Sequence, residues 1–162
     1  MATPAAHPEV RIGHVHLTVA DLDRSLAFYR DLLGFAVMQW YGDSAVFLSA
    51  GGYHHHLGLN TWAGSNATPP EQGHTGLYHF AILYPDRAEL ATTVKRLIAS
   101  SYPLDGASDH GVSEAIYLRD PDGNGVELCC DRPQELWPRR GSGDLAMATL
   151  PLDLDGLLAQ AR

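Results

Sequence analysis

Two histidines and one glutamate stand out by the faces their strands give them. In His14-Val15-His16-Leu17-Thr18-Val19, alternation puts Val15, Leu17 and Val19 on one side and His14, His16 and Thr18 on the other. His79 and Ala81 are set in the same way against Phe80 and Ile82, and Glu127 against Val126 and Leu128. If the apolar sides pack under helices, two imidazoles and a carboxylate share the concave side. Imidazole nitrogen and carboxylate oxygen suit a divalent first-row metal, and two histidines with one carboxylate are the donors of non-haem Fe(II) oxygenases. A carboxylate turned inward is costly unless paired, by a metal or by an arginine. For either histidine alone, a hydrogen-bonded core residue is the competing reading.

Such a set needs neighbouring strands, and the chain supplies them twice. His14 and His79 are 65 residues apart, and so are Asp21 and Asp86, which end a strand and open a helix. The first helix carries Leu22, Leu26, Tyr29 and Leu33 at helical spacing and stops at Gly34. The second carries Leu90, Val94, Leu97 and Ile98, with Glu89 placed after Asp86 as in a capping box. Equal spacing of strand, histidine and cap marks a duplicated unit. Strands are expected at 35–41, 44–49 and 54–61, and again at 102–108, 114–119 and 125–130, the last at the turn signal Asp120-Pro121-Asp122-Gly123-Asn124-Gly125. The expected fold class is α+β: two βαβββ repeats, about 9–62 and 76–131, forming one open mixed-sheet barrel with helices outside. A single domain would span 9–132. Residues 62–75 read as a loop, and 133–162 as an irregular tail in which Asp153 caps a short helix.

Composition narrows the function. Eleven basic against nineteen acidic side chains, a formal net charge of −8, leave no basic surface for nucleic acid. No apolar run reaches the roughly 20 residues of a membrane helix. Residues 1–8 lack the basic start and apolar stretch of a secretory signal, so a cytoplasmic location is expected. Cys129 and Cys130 are neighbours, which points their side chains to opposite faces and argues against a disulfide between them. Both read as packing residues in a reducing compartment. Trp40, Tyr41, Tyr53 and Trp62 could wall a pocket for a planar substrate, and core packing explains each equally well.

Beyond these patterns, Gly13-His14-Val15-His16-Leu17 and the segment 21–35, which ends Leu33-Gly34-Phe35, resemble the vicinal oxygen chelate superfamily. That group contains glyoxalases, fosfomycin and bleomycin resistance proteins, and extradiol dioxygenases. Three stretches narrow the likeness: Gly51-Gly52-Tyr53-His54-His55-His56-Leu57, Asp109-His110-Gly111-Val112-Ser113-Glu114, and Tyr117 through Glu127. From about residue 11 to 138 the chain is similar to the C-terminal catalytic module of bacterial catechol 2,3-dioxygenases. Those enzymes usually have two modules where this chain has one, and its interval from His110 to Tyr117 is shorter. The resemblance implies His14, His79 and Glu127 as metal ligands, with Fe(II) as the metal and Mn(II) next. It implies His55 as the acid–base residue, Tyr117 as a contact to a substrate oxygen and His110 as a wall of the pocket. The reaction would be cleavage of a catechol-like diol by O2. His55 would take and return a proton, while Tyr117 and His110 steady charge on the oxygens. Alternation along the fourth strand turns His54 and His56 inward instead, so the acid–base residue stays open among the three unless a bulge intervenes.

Two other readings compete. A glyoxalase-like lyase or isomerase on Zn or Ni usually carries a further ligand, often glutamate, on the fourth strand, where this chain has histidines and Asn60. A metal-free drug-binding protein of the bleomycin resistance type would lack the ligand set. A standalone module that has lost activity is a third outcome. The expected partners are an aromatic diol, O2 and a second copy in a homodimer, with no nucleic acid and no membrane.

Overall fold

Each repeat folds into a sheet with its helix packed on one face. The computed structural model describes residues 3–64, 66–71 and 73–162. The first repeat runs β1 (Val15–Thr18), α1 (Leu22–Leu26), β2 (Ala36–Tyr41), β3 (Ala45–Ser49) and β4 (Leu57–Asn60), with sheet order β1-β4-β3-β2. The second runs β5 (Phe80–Tyr84), α2 (Arg87–Ala99), β6 (Gly106–Asp109), β7 (Ser113–Arg119) and β8 (Gly125–Asp131), in the matching order β5-β8-β7-β6. β1 with β4 and β5 with β8 are parallel, and the remaining pairs are antiparallel. This is the expected α+β fold of two βαβββ repeats, its two sheets left separate and unclosed.

Local chemistry explains the helices. Asp21 accepts from the Arg24 backbone N–H and Asp86 from that of Glu89, each satisfying a donor of a first turn. After Leu26 the first helix widens into a π-helical stretch, Ala27–Leu32, along which the adjacent Phe28 and Tyr29 are both buried. Leu17, Val19, Leu48 and Leu59 join Leu90, Val94, Ile116 and Leu128 in one core, while His14, His16 and Thr18 stay exposed, as alternation requires. The repeats are tied by Tyr29, whose hydroxyl donates to Asp120 at 2.8 Å, and by Asp122, which takes the Ala20 N–H at 3.2 Å and pairs with Arg24.

Two segments differ from expectation. The strand expected at 54–61 begins only at Leu57, so His54, His55 and His56 precede it. The tail is also more regular than its composition suggests. β9 (Leu150–Pro151) joins the second sheet beside β6, and α3 (Leu154–Leu158), capped by Asp153, buries Leu157 completely. Among the described residues no helix is long and apolar enough to cross a membrane.

Candidate active site

The exposed face of the second sheet gathers four of the expected residues. Register places Glu127 beside Ala81 on one side and Tyr117 on the other. His79, one step outside β5, reaches diagonally so that its Nε2 lies 2.9 Å from Glu127 Oε2. Gly125 holds this geometry. A Cβ there would run into the Tyr78 carbonyl oxygen and come within 2.9 Å of the His79 Cβ. Only glycine lets the start of β5 lie this close to β8.

Beside that pair stands a second one. His110 Nδ1 is 2.7 Å from the Ala148 carbonyl oxygen, and His110 Nε2 is 2.6 Å from the Tyr117 hydroxyl. A carbonyl only accepts, so Nδ1 carries a proton, and in the neutral ring Nε2 accepts from Tyr117. Burial first, then the Glu127 carboxylate, pushes the Tyr117 phenol above its ordinary pKa. The Tyr117 ring centre is 5.7 Å from that of His79. His79, His110 and Tyr117, with Asp105, Arg119 and Thr149, line a cavity of about 350 Å3.

His14 and His55 lie on the other sheet. Their rings are 4.4 Å apart, and His55 stands 5.0 Å from Phe47. His16 contacts Phe47 and Trp62, at 5.8 and 5.3 Å between ring centres. The ambiguity among the three histidines has a physical origin: none is in a regular strand, so alternation does not apply. His55 turns to the His14 side, His56 Nδ1 reaches Ser49 Oγ at 3.0 Å, and His54 stacks on Tyr53 at 4.0 Å. Burial, followed by the neighbouring histidines, lowers the His55 pKa.

The structure therefore brings His79, Glu127, Tyr117 and His110 together, and His14 with His55, as two clusters. The donor chemistry fits a divalent metal. Two donors at 2.0–2.2 Å from one ion and at right angles to each other stand about 3 Å apart, which is the His79–Glu127 separation. Among the described residues these two donors are the ones brought to a point. Among the described residues no three His, Cys, Asp or Glu side chains converge to hold an ion. Among the described residues no arginine pairs with Glu127; Arg87 and Arg132 instead hold the buried Glu114, at 2.7 and 2.9 Å.

Comparing the repeats exposes a position the sequence reading passed over. β1 aligns His16 with Gly58, and β5 aligns Ala81 with Glu127. Since His14 corresponds to His79, Gly58 is the first repeat's counterpart of Glu127. The His16 ring lies over it, 2.9 Å from where a Cβ would stand. Gly125 and the Ala148 carbonyl were missed as well; the first was readable only as a turn residue, and a backbone oxygen leaves no trace in residue type.

Residues 11–128 match the family described as the Glyoxalase/Bleomycin resistance protein/Dioxygenase superfamily. The chain is 44% identical over 155 residues to a catechol-2,3-dioxygenase of Bacillus subtilis, covering 96% of this chain and 53% of that protein. It is 30% identical over 121 residues to a biphenyl-2,3-diol 1,2-dioxygenase of Rhodococcus globerulus, covering 75% and 63% respectively. The chain thus spans 53% and 63% of the length of these curated relatives. Among solved structures, a lactoylglutathione lyase from Agrobacterium tumefaciens superposes with TM-score 0.59 at 29% identity, over 76% of this chain and 96% of that one. A glyoxalase/dioxygenase from Nostoc punctiforme superposes with TM-score 0.66 at 18% identity, over 82% and 100%. By the family match over most of its length, the chain belongs to the Glyoxalase/Bleomycin resistance protein/Dioxygenase superfamily.

Proposed function

We propose that this protein is an extradiol-type dioxygenase that cleaves a catechol-like diol with O2. His14, His79 and Glu127 are the metal ligands in this reading, Fe(II) is the metal and Mn(II) its alternative. The observation that carries it is the His79–Glu127 contact beside the Tyr117–His110 pair, in a chain 44% identical to a catechol-2,3-dioxygenase. A cavity of about 350 Å3 is of the size that holds small organic ligands.

The protein's own groups have definite tasks. With its proton directed to His110, Tyr117 presents lone pairs to the cavity and can accept from a diol hydroxyl. The proton then has a route to His110 Nε2, because the Ala148 carbonyl keeps the other ring nitrogen protonated. His55, neutral at lower pH than an ordinary imidazole, is the acid–base residue on the His14 side. A cytoplasmic enzyme is part of this reading, supported by two buried free thiols and the acidic composition.

A glyoxalase-like lyase on Zn or Ni is the second reading, favoured by the likeness to the lactoylglutathione lyase. Gly58 counts against it, since the register position that could carry another carboxylate has no side chain. Elemental analysis of anaerobically purified protein, with His79→Ala as control, separates the two. Iron or manganese lost in the variant supports the dioxygenase. Zinc or nickel shifts the assignment to the lyase, and no metal after reconstitution removes both.

A further inference from the structure

We infer that Arg132 is a positioning residue, which holds His110 on Tyr117 by neutralising two carboxylates that face each other at the foot of the turn carrying His110. This deepens the dioxygenase reading, on which it rests for the use of that pair in moving a proton. β6 ends at Asp109 and β7 begins at Ser113, and their register sets Asp109 directly opposite Glu114. Like charges so placed repel and drive paired strands apart. Arg132, the residue after β8, stands between them. Its Nη2 donates to Asp109 Oδ2 at 2.7 Å and to Glu114 Oε1 at 2.9 Å. Glu114, its side chain 5% exposed, accepts from Arg87 Nε of α2 at 2.7 Å through its other oxygen.

The turn above these carboxylates is closely fitted. Asp109 Oδ1 accepts the Gly111 N–H at 2.8 Å, and Gly111 has a φ of +74°, where a Cβ would also come within 2.9 Å of Pro138 Cγ. His110 gives its own N–H to the Ser113 carbonyl at 2.9 Å, and its carbonyl takes the Ala148 N–H at 3.2 Å. On that frame the His110 ring bridges the Ala148 carbonyl and the Tyr117 hydroxyl, at 2.7 and 2.6 Å. Opening the end of the hairpin by about an ångström breaks such a bridge, since a contact of about 3.6 Å is no longer a hydrogen bond. Set against apolar residues of the same volume, buried ions add little stability. Arg132 even leaves its Nε buried without an acceptor among the described residues. What the network supplies is one fixed spacing of Asp109 and Glu114, and with it one direction for the His110 ring.

Nitrogen-15 NMR of histidine-labelled protein tests this without metal or diol, the His110 signals being assigned by their loss in His110→Asn. In wild type the two ring nitrogens give well-separated shifts, one protonated and one bare. Arg132→Met leaves the facing carboxylates to repel, so the ring turns free of its partners and the two shifts move together. Adding Asp109→Asn removes one of those charges, keeps an acceptor for the Gly111 N–H and restores the separation. Arg87→Met is the control: it also takes a partner from Glu114 and lowers Tm, yet keeps Arg132 in place and the His110 shifts apart. Shifts that stay apart in Arg132→Met, or that move together equally in Arg87→Met, overturn the proposal. So do wild-type shifts that are already merged and a double variant that does not restore them. Where Arg132→Met alone fails to fold, a folded double variant with wild-type His110 shifts supports the proposal and an unfolded one overturns it. Oxygen uptake by the wild type decides the dioxygenase reading separately, so either can fail while the other stands.

Discussion

Replacing Tyr29 by phenylalanine removes a hydroxyl that links the first repeat's helix to the turn leading into β8. Tyr29 is wholly buried, and its donation to Asp120 Oδ2 is 2.8 Å long. Asp120, 4% exposed, also receives the Asp122 N–H at 2.9 Å, the Asn124 N–H at 2.8 Å and the Asn124 side-chain amide at 2.9 Å. Tyr29→Phe deletes one of these four donors and keeps the ring, 4.8 Å from Phe28. A hydrogen bond to a charged group contributes roughly 1.5–3 kcal/mol, and with three donors left the carboxylate is not orphaned, so the loss is about 2 kcal/mol. At the size of this chain that lowers Tm by about 4–8 °C, measurable by circular dichroism. Burial and then Asp120 push the Tyr29 phenol far above its ordinary pKa. The folded state therefore keeps its proton while the unfolded state loses it above roughly pH 10. Wild-type stability then falls as pH rises, and the gap to the variant narrows there while staying constant near neutrality. A Tm for Tyr29→Phe within about 1 °C of wild type at pH 7 would refute this reasoning, since even the weakest such bond moves it further.

Other perturbations follow from the same geometry. Gly125→Ala must displace Tyr78 and His79, at a cost of about 1–3 kcal/mol by overpacking, and should weaken metal binding. Gly141→Ala, with nothing near the added methyl, should change neither denaturant midpoint nor metal content; equal behaviour of the two variants contradicts the close approach at β8. Nitrogen-15 NMR of labelled histidine should find His110 protonated at Nδ1 and bare at Nε2, and the opposite tautomer would remove the proton route through Tyr117. Burial first, then Glu127, pushes the Cys129 thiol up to about 12, and burial raises Cys130 too. Both should resist alkylation at pH 8 until denaturant is added; rapid labelling of native protein would show that the strand carrying Glu127 opens.

Much of the site was readable from residue types because strand alternation is a strong constraint. Leu17 and Val19 went under the helices and His14 and His16 did not, and the 65-residue repeat correctly set His79 as the counterpart of His14. Alternation failed where no strand exists, at His54 to His56, and β9 is too short to show any period. The placement of one repeat against the other depends on distant pairs such as Tyr29 with Asp120, which no local pattern encodes. For that reason the sequence could assign His14 and His79 equivalent positions without showing that they open into separate cavities. The tautomer of His110 depends on a main-chain oxygen 38 residues away, and Gly58 matters for the side chain it lacks.

Ring cleavage is tested most directly by oxygen uptake. Wild-type protein loaded anaerobically with Fe(II) and then given catechol or biphenyl-2,3-diol in air-saturated buffer should consume O2 mole for mole with the diol. A coloured ring-opened product should appear, and uptake should be absent in His79→Ala. Metal-loaded wild-type protein that leaves both O2 and diol untouched, yet isomerises a glutathione hemithioacetal when given Zn or Ni, would contradict the dioxygenase and establish the lyase in its place.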